Sequence, residues 1–156
     1  MDNTRRRVLK RASAAGAVFA AYAAGALKPS EALAATWNKN AFEAKSTVDA
    51  MKALNMSSAT DSKDIVIHAP DIAENGAVVP IDVTSNIPGT ESISLFIEKN
   101  PFPYVATFDM TKGAVPYVHL RVKIGQSSPV RVVVMAGGKY YQAAKEVKVT
   151  IGGCGG

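Results

Sequence analysis

From Ile65 onward the chain alternates apolar and polar residues with a period of two, the spacing of strands with one buried face. Three segments near the C-terminus show it most clearly. Val118, Leu120, Val122 and Ile124 alternate with Tyr117, His119, Arg121 and Lys123, and Val130, Val132 and Val134 alternate with Arg131, Val133 and Met135. After Gly137-Gly138, Val147, Val149 and Ile151 oppose Glu146, Lys148 and Thr150. Two glycines in succession predict a tight hairpin turn, because both positions can take positive φ. Earlier strands are predicted at Ile65–Ala69, at Val79–Val83, around Ile93, Leu95 and Ile97, and at Tyr104–Met110. Pro80 has no backbone donor and predicts an edge or a bulge. Ile87-Pro88-Gly89-Thr90 reads as a type II turn, and Asn100-Pro101-Phe102-Pro103 as a break between strands.

Before the strands, the period is that of a helix. Ala41, Ala44, Val48, Met51 and Leu54 form one stripe over residues 40–55. Asn40 is the expected N-cap, with Glu43 completing a capping box, and Asn55 is the expected stop. A polar stretch, 57–64, follows. About seven short strands with turns roughly every 8–12 residues predict a mainly β protein. The expected architecture is an immunoglobulin-like antiparallel β-sandwich with an N-terminal helix and a flexible, glycine-rich C-terminal arm. The Cys–Trp–Cys core of antibody domains is missing, since Trp37 precedes the helix and there is a single cysteine.

The N-terminus changes how the charge is read. Thr4-Arg5-Arg6-Arg7-Val8-Leu9-Lys10 is a twin arginine followed by an apolar pair and a lysine, and an alanine-rich run reaches Leu27. Ala32-Leu33-Ala34 fits the small-x-small rule for signal cleavage. Residues 1–34 therefore resemble a twin-arginine signal, 35–150 form the helix and sandwich, and 151–156 form the arm. The expected mature protein is periplasmic and has no membrane segment; an uncleaved anchor is the alternative. Six of the 18 basic and two of the 13 acidic residues lie in the first 34, leaving 12 and 11 for the rest. So near-neutral a body excludes a nucleic-acid partner recognised by a basic face.

Candidate chemistry narrows to one side chain. His68 and His119 fall on separate strands, each on the more polar side, and with one cysteine they do not make a structural zinc set. No glycine-rich phosphate loop precedes a helix. What remains is the tail Ile151-Gly152-Gly153-Cys154-Gly155-Gly156. Nothing beside Cys154 would lower the pKa of its thiol, and an enzyme prepares its nucleophile with a nearby base or positive field. A carrier leaves the thiol unprepared for partner enzymes to activate. Gly152, Gly153, Gly155 and Gly156 add no β-carbon, so the arm is thin, and Val149 to Cys154 spans roughly 17 Å when extended. The rival reading is a structural or adhesive sandwich that Cys154 cross-links through an intermolecular disulfide.

The Gly152-Gly153-Cys154-Gly155-Gly156 end resembles the SoxY family of sulfur carriers in bacterial thiosulfate oxidation. The twin-arginine signal agrees with that resemblance, as do the helix before an all-β body and Asn100-Pro101 followed by Ala106-Thr107-Phe108. The resemblance implies a heterodimer with a SoxZ-like β-sandwich subunit and no cofactor on this chain. It implies that Cys154 holds thiosulfate-derived species covalently while partner enzymes act on them: a haem enzyme that couples thiosulfate to the thiol, a hydrolase that releases sulfate and, where present, a sulfane dehydrogenase. The carrier itself would not be an enzyme.

Overall fold

The computed structural model describes residues 38–150. The expected signal, Trp37 and the expected arm with Cys154 lie outside the described residues. The element order is α1 (Lys39–Glu43), α2 (Thr47–Ala53), β1 (Thr60–Asp61), β2 (Ile65–His68), β3 (Ile72–Ala73), β4 (Val79–Ser85), β5 (Thr90–Ile97), β6 (Tyr104–Asp109), β7 (Tyr117–Val122), β8 (Ser128–Ala136) and β9 (Lys139–Val149). The larger sheet runs β1-β9-β8-β5-β6, with β3 also on β9; the smaller runs β2-β4-β7.

Two sheets with apolar inner faces must bury them against each other. Ile81 and Val83 of β4, Ile93, Leu95 and Ile97 of β5, and Val130, Val132 and Val134 of β8 fill the space between them. The larger sheet is covered on its other face too. Phe96 and Val133 point away from the sandwich core and pack with Ala41, Ala50, Met56 and Tyr104 beneath the helices. Tyr104 stacks at a tilt against Phe42 and Phe96, with ring centroids 4.5 and 5.4 Å apart. Burial on both faces explains why β5 and β8 read as almost unbroken apolar runs. On the helix side three polar side chains satisfy one another: Thr107 Oγ1 lies 2.7 Å from Ser94 Oγ and 2.8 Å from the Tyr104 hydroxyl, which donates to it.

The sandwich, its main strands and both glycine turns stand as expected, with Gly89 at φ +71 and Gly137 and Gly138 at +56 and +71. Other expectations need correction. The single helix is two short ones, because Ala44 turns the chain to extended backbone and Ser46 starts a new cap. Asn38, not Asn40, caps α1, accepting from Ala41 N at 3.1 Å, and Ser46 caps α2, accepting from Asp49 N at 3.1 Å. The break rotates Val48 out of the stripe, leaving it 61% exposed. Asn55 does end the helix, at φ 58. The sheets are not wholly antiparallel, since β1 and β3 pair with β9 in parallel. β4 is central rather than an edge. Pro80 is tolerated there because β2 pairs only with Asp82–Ser85, leaving one side of β4 without a strand at Pro80.

Candidate functional site: the root of the C-terminal arm

Cys154 and Gly152, Gly153, Gly155 and Gly156 lie outside the described residues, so the site is built from the strand that leads to them. β9 is the longest strand, 11 residues, and pairs with β8 along nearly its whole length. The β8 ladder reaches Ser128 opposite Val147. One residue earlier on β8's side, Ser127 continues it with its side chain, its Oγ accepting from Val149 N at 2.9 Å. On the other edge β3 takes over. Ile72 registers with Lys148 and Ala73 with Val149. Lys148 N donates to Asp71 O at 2.9 Å and Thr150 N to Ala73 O at 3.2 Å. Amide groups 148, 149 and 150 thus point alternately to the two sides, as in a strand held between neighbours.

A third contact comes from the loop before β4. Gly76 O accepts from Ile124 N at 2.7 Å. A β-carbon at Gly76 would stand 2.4 Å from Ile124 O and 2.8 Å from Val149 Cγ1, so only glycine lets this loop lie against the strand end. Beyond it, the Asn100 side chain joins two loops, accepting from Gly125 N at 3.0 Å and donating to Lys123 O at 2.8 Å. Gln126 Nε2 donates to Lys99 O at 3.0 Å. The chain is therefore fixed through Thr150, and four residues beyond it a thiol reaches about 14 Å from that fixed point when extended.

At the root the ion pair is Lys145 with Asp71, Nζ to Oδ1 at 3.0 Å, and Lys145 also donates to Ala69 O at 2.7 Å. The histidines lie elsewhere. Asp82 on β4 is in register with His68 on one side and His119 on the other, on the outer face of the smaller sheet. His119 Nδ1 is 2.8 Å from Asp82 Oδ1, and the Tyr117 hydroxyl donates to the same oxygen. That hydroxyl, and then His119, hold the Asp82 carboxyl below the usual range; the carboxylate in turn pushes the Tyr117 phenol up. His68 and His119 are exposed, as their polar-face positions predict, yet Asp82 links them in a row that strand-by-strand reading missed. Its three strands come from distant parts of the chain, and the only signal was a carboxylate at an outward position of β4. Among the described residues no three metal-ligating side chains gather.

The family model for sulfur oxidation protein SoxY matches residues 50–154, from the second helix to the cysteine. Among solved structures, the sulfur carrier protein SoxY from Chlorobium limicola f thiosulfatophilum is 45% identical, with a TM-score of 0.59, over 67% of this chain and 96% of that one. The human F-spondin reeler domain is 10% identical with a TM-score of 0.40, over 60% of this chain and 96% of its own, a likeness too weak to bear on function. Comparison with curated proteins gives no match.

Proposed function

The chain belongs to the SoxY family of sulfur oxidation proteins, and from that membership we propose that it is a periplasmic sulfur carrier whose Cys154 holds thiosulfate-derived sulfur covalently. The observation that supports this best is that the family match extends through Cys154 and that its 45% identical relative is a sulfur carrier. The body agrees with it: hydrogen bonds fix the chain on both edges as far as Thr150, and from there the sequence is glycine around one thiol.

In this reading the chain is not an enzyme. A haem enzyme would couple the Cys154 thiol to the sulfane sulfur of thiosulfate; an S–S bond forms, the thiol proton leaves and two electrons pass, one at a time, through that enzyme to its electron acceptor. The product is a cysteine S-thiosulfonate. A hydrolase adds water to the sulfonate sulfur, the bond to the sulfane sulfur breaks, and sulfate and a cysteine persulfide result. Where one is present, a sulfane dehydrogenase would oxidise the outer sulfur of the persulfide to the sulfonate level, taking three oxygens from water and passing six electrons to an electron acceptor. The companion is a SoxZ-like β-sandwich subunit, and the twin-arginine signal, made for folded cargo, carries the pair across the membrane together.

The test is the mass of the C-terminal peptide after the purified system is incubated with thiosulfate. The carrier reading expects a thiosulfonate adduct on Cys154, and expects Cys154→Ser to fold normally and support no turnover. Turnover retained in Cys154→Ser would overturn it. A stable disulfide dimer without sulfur adducts in non-reducing intact mass would favour the cross-linked sandwich instead.

A further inference from the structure

Gly76 is packed too closely to carry a side chain, and the residue before it is an asparagine. The chain has seven asparagines, and Asn75 is the one that glycine follows. An asparagine side chain is open to attack by the backbone nitrogen of the next residue when that nitrogen is free and can meet the side-chain carbonyl carbon. Glycine in the next position brings no β-carbon to hinder the approach. In a folded chain the outcome turns on what each of these amides is already bonded to.

The structure separates Asn75 from the other described asparagines. After Asn40, Ala41 N donates to Asn38 Oδ1 at 3.1 Å. After Asn55, Met56 N donates to Met51 O at 2.8 Å, and after Asn86, Ile87 N donates to Ser85 Oγ at 3.3 Å. Asn100 is followed by a proline, whose nitrogen carries no hydrogen. Asn38 is held at both ends of its amide, Oδ1 accepting from Ala41 N and Nδ2 donating to Ala53 O at 2.9 Å. Asn75 is exposed, and the Gly76 amide bonds to nothing among the described residues. The bond that the Asn75 side chain does make favours reaction, since Oδ1 accepts from Ala77 N at 2.9 Å. A backbone donor at that atom fixes it as the oxygen and leaves Nδ2 as the unbonded end of the amide. The same donor stands where negative charge develops as the carbonyl carbon is attacked.

We propose that Asn75 deamidates spontaneously in the folded protein, and that the isoaspartate it yields releases the footing of the final strand. The Gly76 nitrogen gives up its proton to a base and bonds to Asn75 Cγ. The Cγ–Nδ2 bond breaks, Nδ2 takes a proton, ammonia departs and a cyclic imide remains. Water then opens the ring, and no oxidant or reductant takes part. Opening at the side-chain carbonyl gives aspartate. Opening at the main-chain carbonyl gives isoaspartate, whose backbone runs through Cγ and is longer by one carbon, about 1.5 Å. The turn has no room for that carbon. Gly76 O is bonded to Ile124 N at 2.7 Å, and an atom at the Gly76 β-position would stand 2.4 Å from Ile124 O and 2.8 Å from Val149 Cγ1. Two residues before Asn75, Ala73 registers with Val149 and accepts from Thr150 N at 3.2 Å. A lengthened link between them cannot keep both the β3 pairing and the Gly76–Ile124 bond, and the isolated loop bond is the one that gives way. Nothing in this depends on what Cys154 carries.

The test is to age the purified full chain in native, mildly alkaline buffer, where loss of the amide proton is faster, and to follow it by peptide mass and by methylation with an isoaspartyl methyltransferase. The peptide that holds Asn75 is expected to show the mass change of an amide turned to an acid and to accept methyl groups. Asn38, Asn40, Asn55, Asn86 and Asn100 are expected to stay amides over the same period. Asn75→Gln, whose longer side chain closes a ring poorly, is expected to lose the mass change. In the isoaspartate form, separated by charge, amide exchange at Ile124 is expected to be about five-fold faster than in fresh protein, the size of one lost backbone hydrogen bond. Fresh Asn75→Asp carries the same charge on the original backbone and is expected to exchange at Ile124 as the parent does. An Asn75 that stays an amide while a synthetic peptide of the same sequence converts overturns the proposal, as does earlier deamidation at any other described asparagine. Parent-like exchange at Ile124 in the isoaspartate form overturns the released footing. So does equally fast exchange in Asn75→Asp, which would trace the effect to charge instead of backbone length.

Discussion

The two ends of the sandwich are built differently. At the end opposite the arm the chain simply reverses. Gly89, Gly113, Gly137 and Gly138 hold positive φ there, and an added β-carbon at any of them would meet nothing within 4 Å. At the arm end the loops are locked to one another by side chains, through Asn100, Gln126, Ser127 and Ser128, and by the close approach at Gly76. One end needs backbone freedom; the other needs a fixed position. The difference teaches that the fold spends its order on where residue 151 begins.

Gly76→Ala should expose this contrast most strongly. Its β-carbon meets a backbone oxygen that cannot step aside, and overpacking of this type costs about 1–3 kcal/mol. We expect the upper part of that range in thermal or urea unfolding. Ser127→Ala comes next. It removes the acceptor of a part-buried amide, which costs about 1–2 kcal/mol, and the local sign is faster hydrogen exchange at Val149 than at Val147. Gly138→Ala, at the far end, should cost about 1 kcal/mol, because the penalty is in φ alone. It should leave exchange at Val149 untouched. If it disturbed Val149 as much as Ser127→Ala does, the ends would not be independent.

The smallest effect tests the outer face of the smaller sheet. The Asp82 carboxyl is held low by the Tyr117 hydroxyl and by His119, so its contribution is present above the ordinary aspartate value, about 3.9, and is lost as pH falls through the folded value. The Tyr117 phenol is pushed up by the same contact, so its contribution is present below the ordinary tyrosine value, about 10, and is lost as pH rises through the folded value. The gap in Tm between the parent and Asp82→Asn should therefore shrink at both extremes of pH. In alkaline absorbance titration one of the five tyrosines should ionise later in the parent than in Asp82→Asn.

The sequence shows one kind of feature well. Strands buried on one face announce themselves by alternation, as β4 and β7 do, and Gly137-Gly138 announces its positive φ angles. What was not legible depends on partners far along the chain. β1 and β3 are two residues each, too short for any period, and exist because β9 offers its edge 76 to 81 positions later. The helix stripe failed at Ala44 because Ser46 competes for the cap, a choice that periodicity does not register. Of the candidate site, Cys154 and its glycines stand out in the order of the sequence and lie outside the described residues. Its footing was not legible, since Gly76, Ser127 and Asn100 look like ordinary turn residues until the loops meet.

The parallel pairing of β3 with β9 has a mechanical consequence. In the proposed carrier role, an enzyme that drew Cys154 inward would pull along the axis of β9. Strand hydrogen bonds lie across that axis, and β9 has them on both edges at its last residues. The pull is therefore borne as shear, shared among many bonds at once, and not as peeling, which would open them one after another. The tether can be tugged without unravelling the domain that holds it.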